Sequence, residues 1–396
     1  MHAFSSVEMK RHSSIAPFPS LAVELIELIA SHLQGDGLLD LRLVCRDLQK
    51  KTFHHFARRF FSSVKTDLSE ESLGRIDALA QNQALRPYVH GLAFMLQNEV
   101  GRGLVWTRHP WGPLSAPLEI GAIRRLRDNL VNNFTNCRSF FVFCRYPEGH
   151  PDMKRVTISD AVAVFFALVV DAQLPVTSFH LIYANKYSRT LIMDMRRLPK
   201  LLYRQPEFKT VWSNLQKLSL EQYLTLDNFG FLLELVLSAP NLHTLLLNLG
   251  SHDLASEFMH ELAETAAFSH LQELALFRTS VRVLDLKKLL EGLRGSLTAL
   301  TFYHVSLSRD ENWMSVFTDL SRNFGSLQSI SLYYLWATAP TKELLSFPEI
   351  HKTPGLCDPD QRFQVFYSEN LKSPTVLGVE YSGSKMPQVL SLLTNN

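Results

Sequence analysis

The sequence is poor in cysteine, and that scarcity excludes a protein held together by disulfides. It has four cysteines in 396 residues, and they form no CxxC pair: Cys45, Cys137, Cys144 and Cys357. Their number and spacing do not make a disulfide framework. A reduced compartment, the cytoplasm or the nucleus, is therefore expected.

Excess charge and long apolar runs are also scarce. The formal net charge is +2 at pH 7, which supplies no broad field to attract nucleic acid or anionic lipid. The longest apolar run, Ala161 to Val170, is about half as long as a membrane-spanning helix requires, so it predicts a buried helix. The first 20 residues lack the apolar core of a secretory signal. We expect a soluble intracellular protein with no nucleic-acid or membrane partner.

The short motifs of common active sites and cofactor sites are absent as well. His260-Glu261-Leu262-Ala263-Glu264 starts like a zinc-binding helix, but no second histidine follows on the same face. There is no GxxxxGK[ST] phosphate loop and no GxSxG nucleophile elbow. The sequence predicts a protein that is not an enzyme and that uses no cofactor or metal.

What the sequence does contain begins with a strongly apolar segment, 17–61, which follows a polar stretch, 1–16, that is expected to be disordered. Gly35-Asp36-Gly37 is expected to end its first helix, because glycine tolerates the left-handed conformation found after a helix. Two further apolar segments follow, so three helices are predicted. A unit of this size does not usually bury its own apolar surface. That surface therefore needs the rest of the chain or another protein.

Two blocks in this segment carry a family resemblance. Leu21-Ala22-Val23-Glu24-Leu25 and Leu41-Arg42-Leu43-Val44-Cys45-Arg46 resemble the Leu-Pro-x-Glu-Leu start and the Leu-Arg-Leu-Val-Cys-Arg core of the F-box. The stretches 56–61 and 85–89 resemble fungal F-box proteins in particular. Ala22 stands where the family usually has the proline that helps to form its adaptor-binding surface.

The resemblance implies that residues 17–61 dock on the Skp adaptor of an SCF-type (Skp–cullin–F-box) ubiquitin ligase. The residues expected to contact the adaptor are Leu21, Ala22, Leu25, Ile26 and Ile29. Three others, Leu41, Val44 and Cys45, are expected to pack against the rest of the chain, with Cys45 acting as a small buried apolar side chain.

A recurring pattern, apolar-x-x-apolar-x-apolar, occupies residues 62–396. Its clear copies start at Leu215, Leu242, Leu271, Leu297 and Leu327, which are 27, 29, 26 and 30 residues apart. Weaker copies start at Val89, Cys137, Val176 and Val376. The period is typical of leucine-rich repeats, in which each unit contributes a strand and a helix. The clear copies lack the usual asparagine after the strand, so a degenerate array is predicted, with insertions at 98–119 and 337–375.

The predicted fold is therefore α/β: an N-terminal three-helix F-box followed by an irregular leucine-rich-repeat solenoid with a parallel sheet. In such a sheet the residue just after the last core position of each copy faces away from the helices. These residues are Glu221, Asn248, Phe277, Tyr303 and Tyr333. Exposed aromatic residues are enriched in interface hot spots, so we predict a partner-binding surface here, unless the 337–375 insertion folds over it.

The predicted function is that of a substrate-recognition subunit of an SCF-type E3 ubiquitin ligase. Its partners would be the Skp adaptor, the cullin and a target protein held by the repeat surface. The residues leave one alternative open, because terminal repeats need a cap. In that alternative the chain is a free-standing leucine-rich-repeat scaffold, and its F-box-like helices are the N-terminal cap.

Overall fold

The protein combines helices with one large, mostly parallel sheet, which confirms the predicted α/β class. The structure is a computed structural model. It describes residues 18–96, 100–110, 112–144, 156–183, 193–199, 204–250, 253–308, 312–336, 344–348, 350, 362–367 and 375–394. The segment 1–16, predicted to be disordered, lies outside the described residues. No helix in these ranges is long and apolar enough to cross a membrane.

The N-terminal segment forms four helices where three were predicted: α1 Val23–His32, α2 Gly35–Val44, α3 Arg46–Lys51 and α4 Phe53–Phe61. The third predicted helix is divided at Thr52, whose buried hydroxyl donates a 2.7 Å hydrogen bond to the carbonyl of Leu48. Side-chain bonds to the carbonyl four residues earlier bend helices. Gly35-Asp36-Gly37 lies in the first turn of α2 and does not terminate α1, so that expectation was wrong.

Two basic side chains hold these helices together. The Lys51 Nζ donates to the carbonyls of Pro19 and Leu21, at 2.7 and 3.1 Å, and so ties α3 to the start of α1. The guanidinium of Arg42 lies 3.9 Å from the centroid of the Phe56 ring and joins α2 to α4. Such cation–π contacts contribute about 0.5–1 kcal/mol at exposed sites.

Strands and helices alternate after residue 62. The strands are β1 Ser63–Thr66, β2 Gly91–Leu96, β3 Ser139–Cys144, β4 Ser178–Tyr183, β5 Lys217–Glu221, β6 Thr244–Gly250, β7 Glu273–Val281, β8 Ala299–Tyr303, β9 Ser306–Leu307, β10 Ser329–Tyr333, β11 Arg362–Tyr367 and β12 Val376–Ser382. The helices are α5 Glu70–Gln81, α6 Gly121–Asn132, α7 Ile158–Asp171, α8 Pro206–Trp212, α9 Leu226–Leu237, α10 Asp253–Thr265, α11 Val283–Glu291, α12 Trp313–Asn323 and α13 Met386–Leu393.

The strand order is β1-β2-β3-β4-β5-β6-β7-β8-β10-β12-β11, with β9 paired to β7, so the sheet follows chain order up to β10 and the last two strands are reversed. The fourth and sixth residues of all nine predicted repeat copies lie in strands. Pairing is parallel from β1 to β10. The copy that starts at Val376 departs from the predicted parallel sheet, because β12 runs antiparallel to both β10 and β11. Residues 368–375, which join β11 to β12, are too few for the crossover that a parallel pair requires.

Alternate side chains on each strand are buried against the helices, and most of the intervening ones are half-buried or exposed. We call the side of the sheet that carries these intervening side chains the open face. The apolar run from Ala161 to Val170 lies in α7 and is almost wholly buried, as predicted. Its Phe166 ring packs against Phe179 of β4 and Trp212 of α8, with centroids 5.7 and 5.6 Å away.

The 98–119 insertion is anchored to this core in the part that the structure describes. Its Leu114 is buried, and the Trp106 indole donates a 2.9 Å hydrogen bond to the carbonyl of Gly101. Arg108 pairs with the buried Asp160 in the first turn of α7. Trp106 is therefore a local anchor of this loop. Trp111, the other tryptophan of the insertion, lies outside the described residues.

Candidate functional site

The N-terminal helices expose an unusual amount of apolar surface. Among the described residues, fourteen large apolar side chains are exposed, and nine of them precede residue 62: Phe18, Val23, Leu25, Leu28, Ile29, Leu39, Leu43, Val44 and Phe60. We call these nine residues the N-terminal apolar surface. Large exposed apolar patches mark sites of interaction with proteins or membranes. This surface is therefore the first candidate site.

The five residues predicted to contact an adaptor do not share one environment. Ala22 and Ile29 are exposed, Leu25 is 50% exposed, and Leu21 is half-buried. Ile26 is 0% exposed, so its inclusion in the predicted contact set was wrong. It lies four residues before buried Ala30, so both face the interior of the unit. The sequence did not reveal this because α1 is apolar on most of its circumference.

The C-terminal end of α2 adds residues that the sequence interpretation assigned elsewhere. Val44 is 68% exposed and Leu43 is 83% exposed. The expectation that Val44 packs against the rest of the chain was therefore wrong, whereas Leu41 and Cys45 are half-buried. Leu28 of α1, which is 57% exposed, was also missed. Composition alone does not show which apolar residues of a helix are exposed, as Leu28 is, and which are buried, as Ile26 is.

The helical unit contacts the remainder of the chain through Tyr88. The Nδ1 of His54 lies 3.3 Å from the Tyr88 hydroxyl. The rings of Phe53 and Tyr88 meet edge to face, with centroids 6.2 Å apart. Residues 86–88 form a short turn just before β2. The helices are thus packed against the first units of the sheet through α4.

The second candidate site is on the open face. Strand pairing places Glu221, Asn248, Phe277, Tyr303 and Tyr333 directly side by side on five successive strands. The predicted adjacency of these residues is therefore confirmed. The Tyr303 centroid is 5.8 Å from that of Phe277 and 5.9 Å from that of Tyr333.

The aromatic side chains continue onto β11, which the sequence did not predict as a strand. Tyr333 and Phe366 meet with ring centroids 4.7 Å apart, although β12 lies between their strands. The residue of β12 between them is Gly378. A Cβ atom there would lie 2.9 Å from Cδ1 of Tyr333 and 3.3 Å from Cβ of Phe366. We call Phe277, Tyr303, Tyr333 and Phe366 the aromatic row.

Tyr333 is also fixed by a polar contact. Its hydroxyl donates a 2.6 Å hydrogen bond to Oε2 of Glu380 on β12. Burial raises the pKa of Tyr333 far above its ordinary value, and the Glu380 carboxylate raises it further. The hydroxyl therefore stays protonated and keeps donating at physiological pH. A carboxylate thus lies directly beside the aromatic row, at Tyr333.

Three residues that directly follow the aromatic residues of β7, β8 and β10 have left-handed backbone conformations, which are rare in residues other than glycine. Arg278, His304 and Tyr334 have φ angles of 45, 54 and 51°. Each follows a member of the aromatic row directly in sequence. The His304 and Tyr334 rings stack, with centroids 4.8 Å apart and an interplanar angle of 17°. A left-handed non-glycine residue costs roughly 1–2 kcal/mol, and such strain clusters at functional sites.

The opposite end of the predicted row is polar. Burial raises the pKa of Glu221, while a hydrogen bond from Asn248 and the charge of Arg278 act in the other direction. Burial lowers the pKa of His304, and Arg278 again contributes. Arg278 thus acts electrostatically on both neighbours and partly compensates the Glu221 carboxylate.

The structure describes residues 344–348, 350, 362–367 and 375 of the 337–375 insertion. Phe347 and Ile350 are buried, and the Phe347 ring packs against Phe317 of α12 with centroids 6.2 Å apart. Residues 362–367 form β11 at the edge of the sheet. The described parts of the insertion supply Phe366 to the row, and the alternative that the insertion folds over Phe277, Tyr303 and Tyr333 stays a prediction, because most of its residues lie outside the described ranges.

The partial zinc-like motif has a structural partner. The Nδ1 of His260 lies 2.9 Å from Oδ1 of Asp285, whose other oxygen accepts from Arg282 at 2.5 Å. These contacts join α10 to α11. Within the described ranges, no group of three histidine, cysteine, aspartate or glutamate side chains could hold a metal ion.

The two candidate surfaces thus have the character of protein-binding sites. One is apolar and helical, and the other is an aromatic row bordered by carboxylates on the open face of a sheet. In comparisons with known proteins, no family model matches the chain and no curated protein matches it significantly.

Proposed function

We propose that this chain is a substrate-recognition subunit of an SCF-type ubiquitin ligase. Residues 17–61 would be an F-box that docks on the Skp adaptor, and residues 62–396 would be a degenerate leucine-rich-repeat region that binds a target protein. The observation that carries the proposal is the N-terminal apolar surface. Four of its nine residues, Val23, Leu25, Leu43 and Val44, lie in the two sequence blocks that resemble the F-box, and a surface of this kind marks a site of interaction.

The order of strands and helices supports the repeat assignment. From β5 to β10, each parallel strand is separated from the next principal strand by one helix. Units of this kind bury a continuous core by stacking on each other. Side chains at equivalent positions of neighbouring strands then form rows across the open face. Such a surface suits recognition of another protein.

The chain would promote ubiquitin transfer without forming a covalent bond itself. Holding a target beside the ubiquitin-carrying enzyme raises the local concentration of its acceptor lysines. Tethering through two separate surfaces, one for the adaptor and one for the target, is sufficient for this effect. A subunit of this kind would act in the cytoplasm or the nucleus.

The test is co-purification with the Skp adaptor, using a double variant on the exposed side of α1. Leu25→Asp with Leu28→Asp places two carboxylates in the proposed interface, where their desolvation is expensive. Both side chains are exposed in the free chain, so the fold should persist. Circular dichroism verifies this for each preparation. We expect the wild type to retain the adaptor and the double variant to lose it.

A matched control is available on the distant helices. Leu226 and Leu284 are 80 and 76% exposed near the starts of α9 and α11. Leu226→Asp with Leu284→Asp should leave adaptor binding unchanged. Failure of the wild type to bind the adaptor would refute the ligase proposal.

The second candidate is a free-standing scaffold in which the N-terminal helices are a cap. The packing of Phe53 and His54 on Tyr88 favours it, since a cap must cover the first repeat. A stable monomer without adaptor is its signature. Size-exclusion chromatography of the chain expressed alone therefore discriminates between the two: aggregation that the adaptor relieves favours the ligase subunit.

A further inference from the structure

Two rows of side chains on the open face contain the aromatic residues and their neighbours. From β5 to β11, the open face carries two rows at the C-terminal ends of the parallel strands. The upper row is Glu221, Asn248, Phe277, Tyr303, Tyr333, Gly378 and Phe366, and the lower row is Ser219, Leu246, Ala275, Thr301, Ser331, Glu380 and Gln364. The only charged residues in these rows are Glu221 and Glu380. Arg278 and Arg362 lie beside these rows, so the acidic character belongs to the two carboxylates themselves.

The two carboxylates are not equivalent. Glu221 has a cation close by, because Arg278 acts on it electrostatically. Glu380 is half-buried and forms no ion pair with any of the described residues, although it accepts the hydrogen bond from Tyr333. A half-buried carboxylate with free acceptor positions gains more from a basic partner than an exposed one does.

Aromatic rings frame Glu380. The Tyr333 ring lies over Gly378, which is two residues before Glu380 on β12. The centroids of the Tyr333 and Phe366 rings are 4.7 Å apart. Ammonium and guanidinium groups are attracted to the faces of aromatic rings within about 6 Å. The Glu380 carboxylate thus provides a hydrogen-bond acceptor, and the rings of Tyr333 and Phe366 provide a flat surface. An arginine guanidinium in particular binds to both kinds of group.

We propose that Glu380, Tyr333 and Phe366 form a subsite for an arginine or lysine side chain of an extended segment of the target protein. This inference rests on the proposed function, since it names the chemistry that the open face selects. The lower row carries the small side chains of Ala275 and Thr301, which are paired on neighbouring strands beside the aromatic row.

The spacing of the strands sets the scale of the segment. Three strand separations, roughly 14 Å, lie between the strands of Phe277 and Glu380. An extended chain spans this distance in about four residues. The segment should therefore present an apolar side chain to Phe277 and Tyr303, about four positions from its basic residue.

The experiment is selection of random displayed peptides on the full chain, with Glu380→Gln and Glu273→Gln as the paired variants. Glutamine keeps an acceptor for the Tyr333 hydroxyl but removes the charge. Glu273 is also on the open face, where it accepts from Thr244, outside the subsite. We expect the wild type to enrich arginine or lysine at one position. Glu380→Gln should bind those peptides about tenfold to a hundredfold more weakly, and Glu273→Gln should bind them equally well.

Peptides that lack a basic residue, or that bind Glu380→Gln as tightly as the wild type, would overturn the inference, as would the absence of any enriched peptide. Adaptor co-purification on the same preparations separates this outcome from failure of the proposed function. Peptides lost in Tyr303→Ala but without a basic preference would leave the open face as the target site and remove only the Glu380 subsite.

Discussion

Arg108 forms a bidentate ion pair with Asp160, with two N–O distances of 2.7 Å. The carboxylate is completely buried, and it also accepts from Arg197 at 2.7 Å and from the backbone N–H of Thr157 at 2.8 Å. Three segments that are distant in sequence thus meet at one side chain at the start of α7. The loops on this side of the sheet are held by charge as well as by apolar packing.

Removing that carboxylate should destabilise the protein strongly. Asp160→Ala leaves Arg108 and Arg197 without their shared partner, and breaking a buried pair costs about 3–5 kcal/mol. Urea denaturation followed by circular dichroism measures the loss. Glu71→Ala is the control, since Glu71 pairs with Arg75 at the exposed surface of α5, where ion pairs contribute little. Equal denaturation midpoints for the two variants would contradict the prediction.

Gly378→Ala should disturb the aromatic row. The new Cβ would lie 2.9 Å from Cδ1 of Tyr333 and 3.0 Å from the carbonyl oxygen of Leu332, so the Tyr333 ring must shift. Overpacking of this kind costs about 1–3 kcal/mol. Gly230→Ala in α9 is the comparison, because a Cβ there meets nothing within 4 Å. That change should be neutral or stabilise by up to about 1 kcal/mol. The reverse order of stabilities would exclude the steric account.

The stability of the protein should fall on acidification. Burial lowers the pKa of both His304 and His180, and the charges of Arg278 and Lys217 lower these pKa values further. The unfolded chain then binds the protons more readily than the folded one. The stabilisation is therefore complete above the ordinary value near 6.5 and is lost as the pH falls below it.

Urea midpoints between about pH 7 and pH 5 test this expectation. We expect His304→Gln and His180→Gln each to flatten the decline. A slope unchanged in the double variant of His180 and His304 would assign the acid sensitivity to other groups.

Ile26 and Leu28 should differ sharply although they are close neighbours on α1. Ile26→Ala removes fully buried methyl groups and should cost about 2–5 kcal/mol of the stability of the helical unit. Leu28→Ala acts at an exposed site and should change stability by less than about 0.5 kcal/mol. Hydrogen exchange of the amides in α1 and α4 reports on this unit alone. Similar protection in both variants would contradict the burial of Ile26.

The sequence predicted the strands of the sheet well because their pattern is redundant. Nine copies repeat the same alternation, and a shift by one residue would turn leucines such as Leu245 and Leu274 to the open face. The row from Glu221 to Tyr333 follows from that register alone. The strands β1, β9 and β11 were missed, because they do not carry the three-position apolar pattern.

The N-terminal unit was predicted less well, for a physical reason. When a helix has apolar residues on most of its circumference, the sequence does not show which face is buried. Ile26 and Leu25 were therefore assigned the same role. The division at Thr52 depends on a side-chain hydrogen bond, and that bond has no periodic signal. Phe366 joins the aromatic row because β11, an antiparallel strand inside the 337–375 insertion, pairs with β12, and the repeat pattern does not predict that strand.

The reversal of β12 determines where the array can grow. A duplicated strand-and-helix unit of similar length could be inserted between any two parallel strands from β2 to β10, because each connection already enters and leaves in the same direction. Beyond β10 the partner strand runs the opposite way, so an added unit would not continue the parallel pattern. Lengthening of the array by duplication is thus confined to the interior of the sheet. The arrangement of Tyr333, Phe366 and Glu380 at its C-terminal edge would stay the same in the longer array.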